Sequence, residues 1–299
     1  MDMANHGRST AQSTTSICNQ ATATINSQAD ATALASSCST VNGAVAIGKS
    51  VVNSIVLDGI QQIKGDLIVV GAENMTSLSG KDLNSIGGTM QLSGLKFLSN
   101  LGFPVLTSVN AINWAHLTAL QGLNFGKPGI TRANSVLITD TQLNSLDGID
   151  LTSVSTIDIN NNQFLRSYTT QLGNVTGSMN IDSNAPDLKL SFPNLIFAYN
   201  MTIRNISSIS VPSLRAVNTT LGFYGNYLTQ IMCPNLTTIG QSFAIVANSQ
   251  LSNVSMPALT SVGGGLQIAN NTNLLAIDGF PSLKSTGAID ITGNFSRLV

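Results

Sequence analysis

The sequence predicts an all-β protein wound as a right-handed parallel β-solenoid, with about twelve rungs of about 22 residues each. Three observations predict it. Apolar pairs separated by one residue recur along almost the whole chain. An asparagine follows many of them at a fixed distance. A second apolar pair and a proline precede them at fixed places.

The pairs run from Val45/Ile47 through Leu67/Val69, Met90/Leu92, Ile112/Trp114, Val136/Ile138, Ile157/Ile159, Met179/Ile181, Met201/Ile203, Leu221/Phe223, Phe243/Ile245 and Leu266/Ile268 to Ile289/Ile291. Apolar residues two apart lie on one face of a strand. A single such strand cannot bury that face, but a stack of them makes a continuous core. At about 4.8 Å per rung, the stack would be a rod roughly 55 Å long.

Three positions past the second apolar residue stands Asn162, Asn184, Asn226, Asn248, Asn271 or Asn294. A buried column of amides can bond turn backbone on its own and the next rung. Ahead of the strands come Leu83/Ile86, Leu106/Val109, Leu151/Val154, Leu214/Val217, Leu236/Ile239 and Leu259/Val262. Upstream again are Pro104, Pro193, Pro212, Pro234, Pro257 and Pro281, which set φ at a corner without losing a ladder bond. The run Leu236–Asn248 follows leucine-rich-repeat logic. Gly87-Gly88 and Gly263-Gly264-Gly265 mark tight corners before strands rather than phosphate loops.

The organisation that follows has three parts. Residues 1–17, polar and lacking an apolar h-region, are expected to be a disordered tail. Residues 18–44 form an N-terminal cap, and 45–299 the rungs of a single solenoid, with a C-terminal end expected to be truncated. In the cap, Ser27 and Asp30 signal a capping box opening a short helix. Cys18 and Cys38 flank that helix, and their pairing would tie it down. Cys233 occupies the slot before Pro234 that Phe103, Phe192, Val211, Met256 and Phe280 fill elsewhere, so it reads as a core residue.

Composition narrows the function. Net charge is −1, charged residues are 9% of the chain, and Glu73 is the one glutamate. No bulk attraction to nucleic acid is expected, and no run is long enough to span a membrane. A surface so poor in charge needs another source of solubility. Sequons at Asn74, Asn174, Asn200, Asn205, Asn218, Asn235, Asn253 and Asn270 supply one if glycosylated. A ninth, Asn294, is doubtful because it falls in the inward asparagine column.

Several segments resemble the fungal GPI-anchored cell-wall proteins with receptor L-domain-like repeats, the extracellular-mutant and sporulation-specific group. They are Ile25–Ala35, Gly59–Leu67, Thr141–Leu151, Ser191–Ile196 and Ile277–Leu283. The resemblance implies a secreted glycoprotein of the cell wall or plasma-membrane outer face, needed for wall organisation and integrity. Its implied partners are wall polysaccharide or other wall proteins, and a lipid anchor is implied by the resemblance alone.

Catalytic and metal residues are expected to be none, and no cofactor is expected. A β-helix polysaccharide hydrolase or lyase would need carboxylates about 5–9.5 Å apart. Asp158 and Asp182 lie on consecutive rungs, but Arg204 stacks beside Asp182. That arginine stabilises the charged carboxylate, which suits an ion pair better than a general acid. His116, two past the inward Trp114, is either core-facing or near a turn. A receptor-like ligand-binding module is the further alternative. Any ligand surface is expected at Asp158, Asn160, Asn180, Asp182, Arg204 and Tyr224. These are outward positions on successive rungs, and they otherwise read as solvated strand residues.

Overall fold

A computed structural model describes residues 16–298. Residues 1–15, which hold most of the expected polar tail and His6, lie outside the described residues. The tail's last residue is already folded, because Ile17–Asn19 form a short 3-10 turn.

The repeat register holds from rung to rung. Val45 pairs with Leu67 and Ile47 with Val69. The same one-to-one pairing continues through Ile159 and Ile181 to Ile268 and Ile291. All these strands are parallel and belong to one sheet. From Val45 to Ile268 both members of every pair are buried, so the inner face forms one dry core.

Two departures lie at the ends. Thr22–Ile25 pairs with Ala44–Ile47, so Ala23/Ile25 is a rung inside the stretch expected to be cap alone. It escaped the sequence pattern because alanine gives a weak apolar signal. At the other end Ile289 is 61% exposed and Ile291 half-buried, contrary to the expectation that both members of every pair are buried. Among the described residues no further rung covers them.

The corners follow from local chemistry. At each expected proline, the residue before it accepts a hydrogen bond from the N–H three residues on. Examples are Phe103 from Leu106, Phe192 from Leu195, and Cys233 from Leu236. This is a β-turn with proline at its second position, where its fixed φ is already correct. The inward residue before the proline and the leucine after it are both buried in these turns except at Pro281, where Phe280 and Leu283 are half-buried. The glycine runs lie at bends within long strands rather than in loops. A Cβ on Gly87 would stand 2.3 Å from the Lys64 carbonyl oxygen, and one on Gly263 would stand 2.1 Å from that of Gly240.

A second corner sits two residues past the second apolar residue of the ten rungs from Val69 to Ile268. There Gly71, Gly94, His116, Asp140, Asn161, Ser183, Asn205, Gly225, Ala247 and Asn270 all have φ between +54° and +70°. Glycine, asparagine and aspartate fill most of this column, as the left-handed region favours. His116 therefore sits at a bend near the end of the strand Ser108–Leu117, and its side chain is 66% exposed rather than core-facing.

The asparagine column follows that corner. Asn162, Asn184, Asn226, Asn248 and Asn271 are buried. Each Nδ2 donates to a strand carbonyl of the preceding rung: Ile138, Ile159, Ile203, Phe223 and Ile245 respectively. The side-chain oxygens of Asn184, Asn248 and Asn271 accept the backbone N–H of the asparagine one rung earlier. The bonds thus reach back as well as forward. The rung at 206 has isoleucine instead, and there Asn205 turns inward and donates to the Asn184 carbonyl. Asn294 is exposed and does not join the column.

The opposite side of the coil is less regular. Short strands form one sheet from Asn53–Val56, Met75–Ser79, Asn100–Phe103 and Asn124–Phe125. A separate sheet joins Ser167–Thr169, Lys189–Ser191 and Ser208–Ser210. Between them only an isolated bridge links Ser145 to Ser167.

The N-terminal helix spans Gln28–Ser37 and carries Leu34 and Ala31 into the core. Ser27 accepts the Asp30 N–H, as expected of the N-cap. The Asp30 carboxylate reaches back one residue further than a standard capping box, to the Asn26 N–H at 2.9 Å. Cys18 and Cys38 are disulfide-bonded, and Cys233 is free and buried.

Candidate functional site

The strand register fixes the site. Asp158 lies beside Asn180, and Asn160 beside Asp182, on adjacent strands. Arg204 lies beside Tyr224 two rungs further on. Alternation then points all six side chains away from the core, because the neighbours Ile157, Ile159, Ile181, Ile203 and Phe223 point inward.

The six form one stripe of two bonded clusters, Asp158/Asn160/Asn180 and Asp182/Arg204/Tyr224. The Asp158 Oδ1 accepts from Asn160 Nδ2 at 2.8 Å and from Asn180 Nδ2 at 3.0 Å. The Thr139 hydroxyl donates to Asn160 and carries the network one rung further than the sequence indicated. Asp182 accepts the Ser183 hydroxyl at 3.1 Å, and its other oxygen stands 3.4 Å from Arg204 Nη1. The Arg204 guanidinium lies 5.0 Å from the Tyr224 ring centre. Both members of the ion pair are partly exposed, so the pair itself adds little stability.

Tyr224 is placed by a glycine. A Cβ on Gly222 would stand 2.3 Å from the Tyr224 ring, so the ring lies back along the strand over a position without a side chain. On the rung after Tyr224 the outward positions are apolar, with Ala244 buried and Val246 half-buried, and polarity returns on the next two rungs, where Gln267 donates to Asp290 at 2.9 Å.

Chemically, Asp158 and Asp182 are acceptors already served by amides, a hydroxyl and a guanidinium. That arrangement fixes a hydrogen-bonding surface. His116 and Asp140 meet at 3.5 Å on adjacent rungs, but both are well exposed at their bends. Among the described residues no group of three potential metal ligands converges.

The sequence missed two hollows of about 450 Å³ each. One lies at the bend of the main sheet, lined by Ser108, Asn110, Arg132, Asn134 and Ser153 among others. The other lies at the break in the opposite side, around Phe125. The first draws residues from five turns of the chain and the second from three, meeting at irregular rungs. No local pattern announces that meeting.

Of the sequon asparagines, Asn74, Asn174, Asn218, Asn235, Asn253, Asn270 and Asn294 are exposed. Asn200 and Asn205 are half-buried and share a rung with Arg204. Asn205 therefore differs from the accessible site the sequence suggested.

A parallel β-solenoid with a buried asparagine ladder, a disulfide-tied cap and a fixed polar stripe defines an L-domain-like, leucine-rich-repeat-like repeat protein. Comparison with known proteins gives the kind more closely. Protein ecm33 of Aspergillus fumigatus is 43% identical over 93% of this chain and 69% of its own length. A cell surface GPI-anchored protein of Arthroderma benhamiae is 43% identical over 92% of this chain and 70% of its own. Cell wall protein ecm33 of Schizosaccharomyces pombe is 34% identical over 73% of this chain and 52% of its own. No family model matches the chain. No solved structure matches it significantly. The chain belongs to this fungal family of cell-wall and cell-surface GPI-anchored proteins, and its place is the secreted, cell-wall side of the cell. Among the described residues no helix is long and apolar enough to cross a membrane.

Proposed function

We propose that this chain is a non-enzymatic, glycosylated scaffold that contributes to the organisation and integrity of the fungal wall. Its stripe from Asp158 to Tyr224 would hold wall polysaccharide or another wall protein. The observation that carries the reading is the contrast along one sheet face. Five successive rungs, from Thr139 to Tyr224, carry amide, carboxylate, guanidinium and aromatic groups in two bonded clusters, and the next rung carries the apolar Ala244 and Val246. Fixed polar groups beside a flat ring suit hydroxyl-rich or peptide surfaces, since no side-chain ordering is needed on binding.

Glycans on the exposed sequons would coat other parts of the rod and replace the solubility that its few charges cannot provide. The receptor-like alternative uses the same stripe with one specific ligand. The test is co-sedimentation of the glycosylated, secreted protein with isolated fungal wall. Binding by the unchanged chain and its loss in Arg204→Ala/Tyr224→Ala supports the reading. Equal binding by the double variant removes the stripe from it.

A further inference from the structure

The hollow at the break in the second side has the chemistry of a ligand site, and it shares no residue with the Asp158–Tyr224 stripe. Its lining includes Phe125, Lys127, Asp147, Asp150, Thr169 and Gln171. We propose that this hollow binds the end of a short neutral saccharide.

The chain is shaped to keep it open. Gly126 passes so close to Pro104 that a Cβ would stand 1.8 Å from its carbonyl oxygen. Gly148 has φ +98°, and a Cβ there would stand 2.9 Å from that of Phe125. Both positions therefore demand glycine, and both border the hollow. The opening falls where the Asn53–Phe125 sheet stops and the Ser167–Ser210 sheet has not begun.

Its aromatic wall is fixed. The Phe125 ring packs against Phe103 at 6.2 Å and against the fully buried Trp114 at 6.3 Å, and it stays half-buried itself. Around it stand three charged groups that make no ion pair with one another among the described residues: Lys127, Asp147 and Asp150. Asp150 is anchored, because its Oδ1 accepts the Gln171 N–H at 2.7 Å. Its Oδ2 remains directed to no partner among the described residues.

The ligand class follows by charge. Two carboxylates oppose an anion, and the lysine opposes a metal cation. A neutral molecule with many hydroxyls meets acceptors at Asp147 and Asp150, donors at Lys127 and Gln171, and an apolar ring for its C–H face. The volume of about 450 Å³ lies in the range of small-molecule sites.

The test is saturation-transfer NMR on the whole chain with four neutral probes: methyl β-glucoside, methyl α-mannoside, N-acetylglucosamine and cellobiose. Glucuronate serves as the anionic control. At least one neutral probe should bind, and Asp147→Asn/Asp150→Asn should weaken it about tenfold or more. Asparagine at 150 still offers an acceptor to Gln171, so the fold is kept. Glu73→Gln, an exposed residue outside both the hollow and the stripe, should bind the same probe unchanged. The proposal is overturned if no neutral probe binds, if glucuronate binds more tightly, or if the carboxylate variant binds equally. Loss in Arg204→Ala/Tyr224→Ala would move the saccharide to the stripe and overturn it too.

Discussion

The Tyr224 ring lies over Gly222, where a Cβ would stand 2.3 Å from it, and the Arg204 guanidinium lies 5.0 Å from the same ring. One missing side chain thus sets the position of an aromatic ring and, through it, of an arginine. Gly222→Ala should leave the solenoid folded, because the ring is the mobile end of a flexible side chain and can swing away. Binding to isolated wall should nevertheless fall, since ring and guanidinium move together. Circular dichroism checks the fold, and co-sedimentation checks the binding.

The asparagine ladder should matter more to stability than any surface ion pair. Asn248 is fully buried, donates to Phe223 and accepts from Asn226. Asn248→Ala strands both backbone groups and should cost about 3 kcal/mol. Asn294→Ala, at an exposed position, should change stability by less than about 0.5 kcal/mol. Chemical denaturation of the two variants gives the comparison.

The cysteines should behave in opposite ways. Cys18 and Cys38 close a 20-residue separation around the cap helix, and losing that bridge should cost about 3 kcal/mol. Burial pushes the Cys233 thiol up to about 12. At pH 8 it stays protonated in the folded chain, while an unfolded thiol near its ordinary value is already partly thiolate. Thiol-specific labelling at pH 8 should therefore miss Cys233 in the native protein and reach it in denaturant. Rapid native labelling would contradict the buried assignment.

Glycan occupancy should follow exposure. Asn74, Asn174, Asn218, Asn235, Asn253, Asn270 and Asn294 should be occupied in protein from a fungal host. Asn205 should be less so, because its Nδ2 completes the ladder where Ile206 replaces asparagine. Asn200, half-buried with its Oδ1 buried and unpartnered, should behave like Asn205. Both sit on the rung of Arg204, so empty sites there would leave the stripe uncovered. Glycopeptide mass spectrometry reads each site, and full occupancy at Asn205 would count against the stripe.

The fold was legible because solenoid contacts translate into a period. Ile159 and Ile181 touch through a register that the sequence displays as a spacing. The stripe was legible for the same reason, since neighbours on a parallel sheet are one repeat apart. The ladder's direction was only half legible, because spacing places Asn184 in a column but not its Nδ2 on Ile159. The left-handed corner could have been read from Gly71, Asp140, Asn161 and Gly225, and with it the place of His116. The rung Ala23/Ile25 was hidden by a small residue, and the Phe125 hollow by an irregular loop that breaks the period.

Side-chain footprinting on bound protein tests the central claim most directly. Carbodiimide labels exposed carboxylates, and mass spectrometry reads each site with and without isolated wall. The account predicts that Asp158 and Asp182 are protected when wall is present, while Asp58, Asp140 and Asp187 label as before. Bound protein in which Asp158 and Asp182 label at their free rates would contradict it.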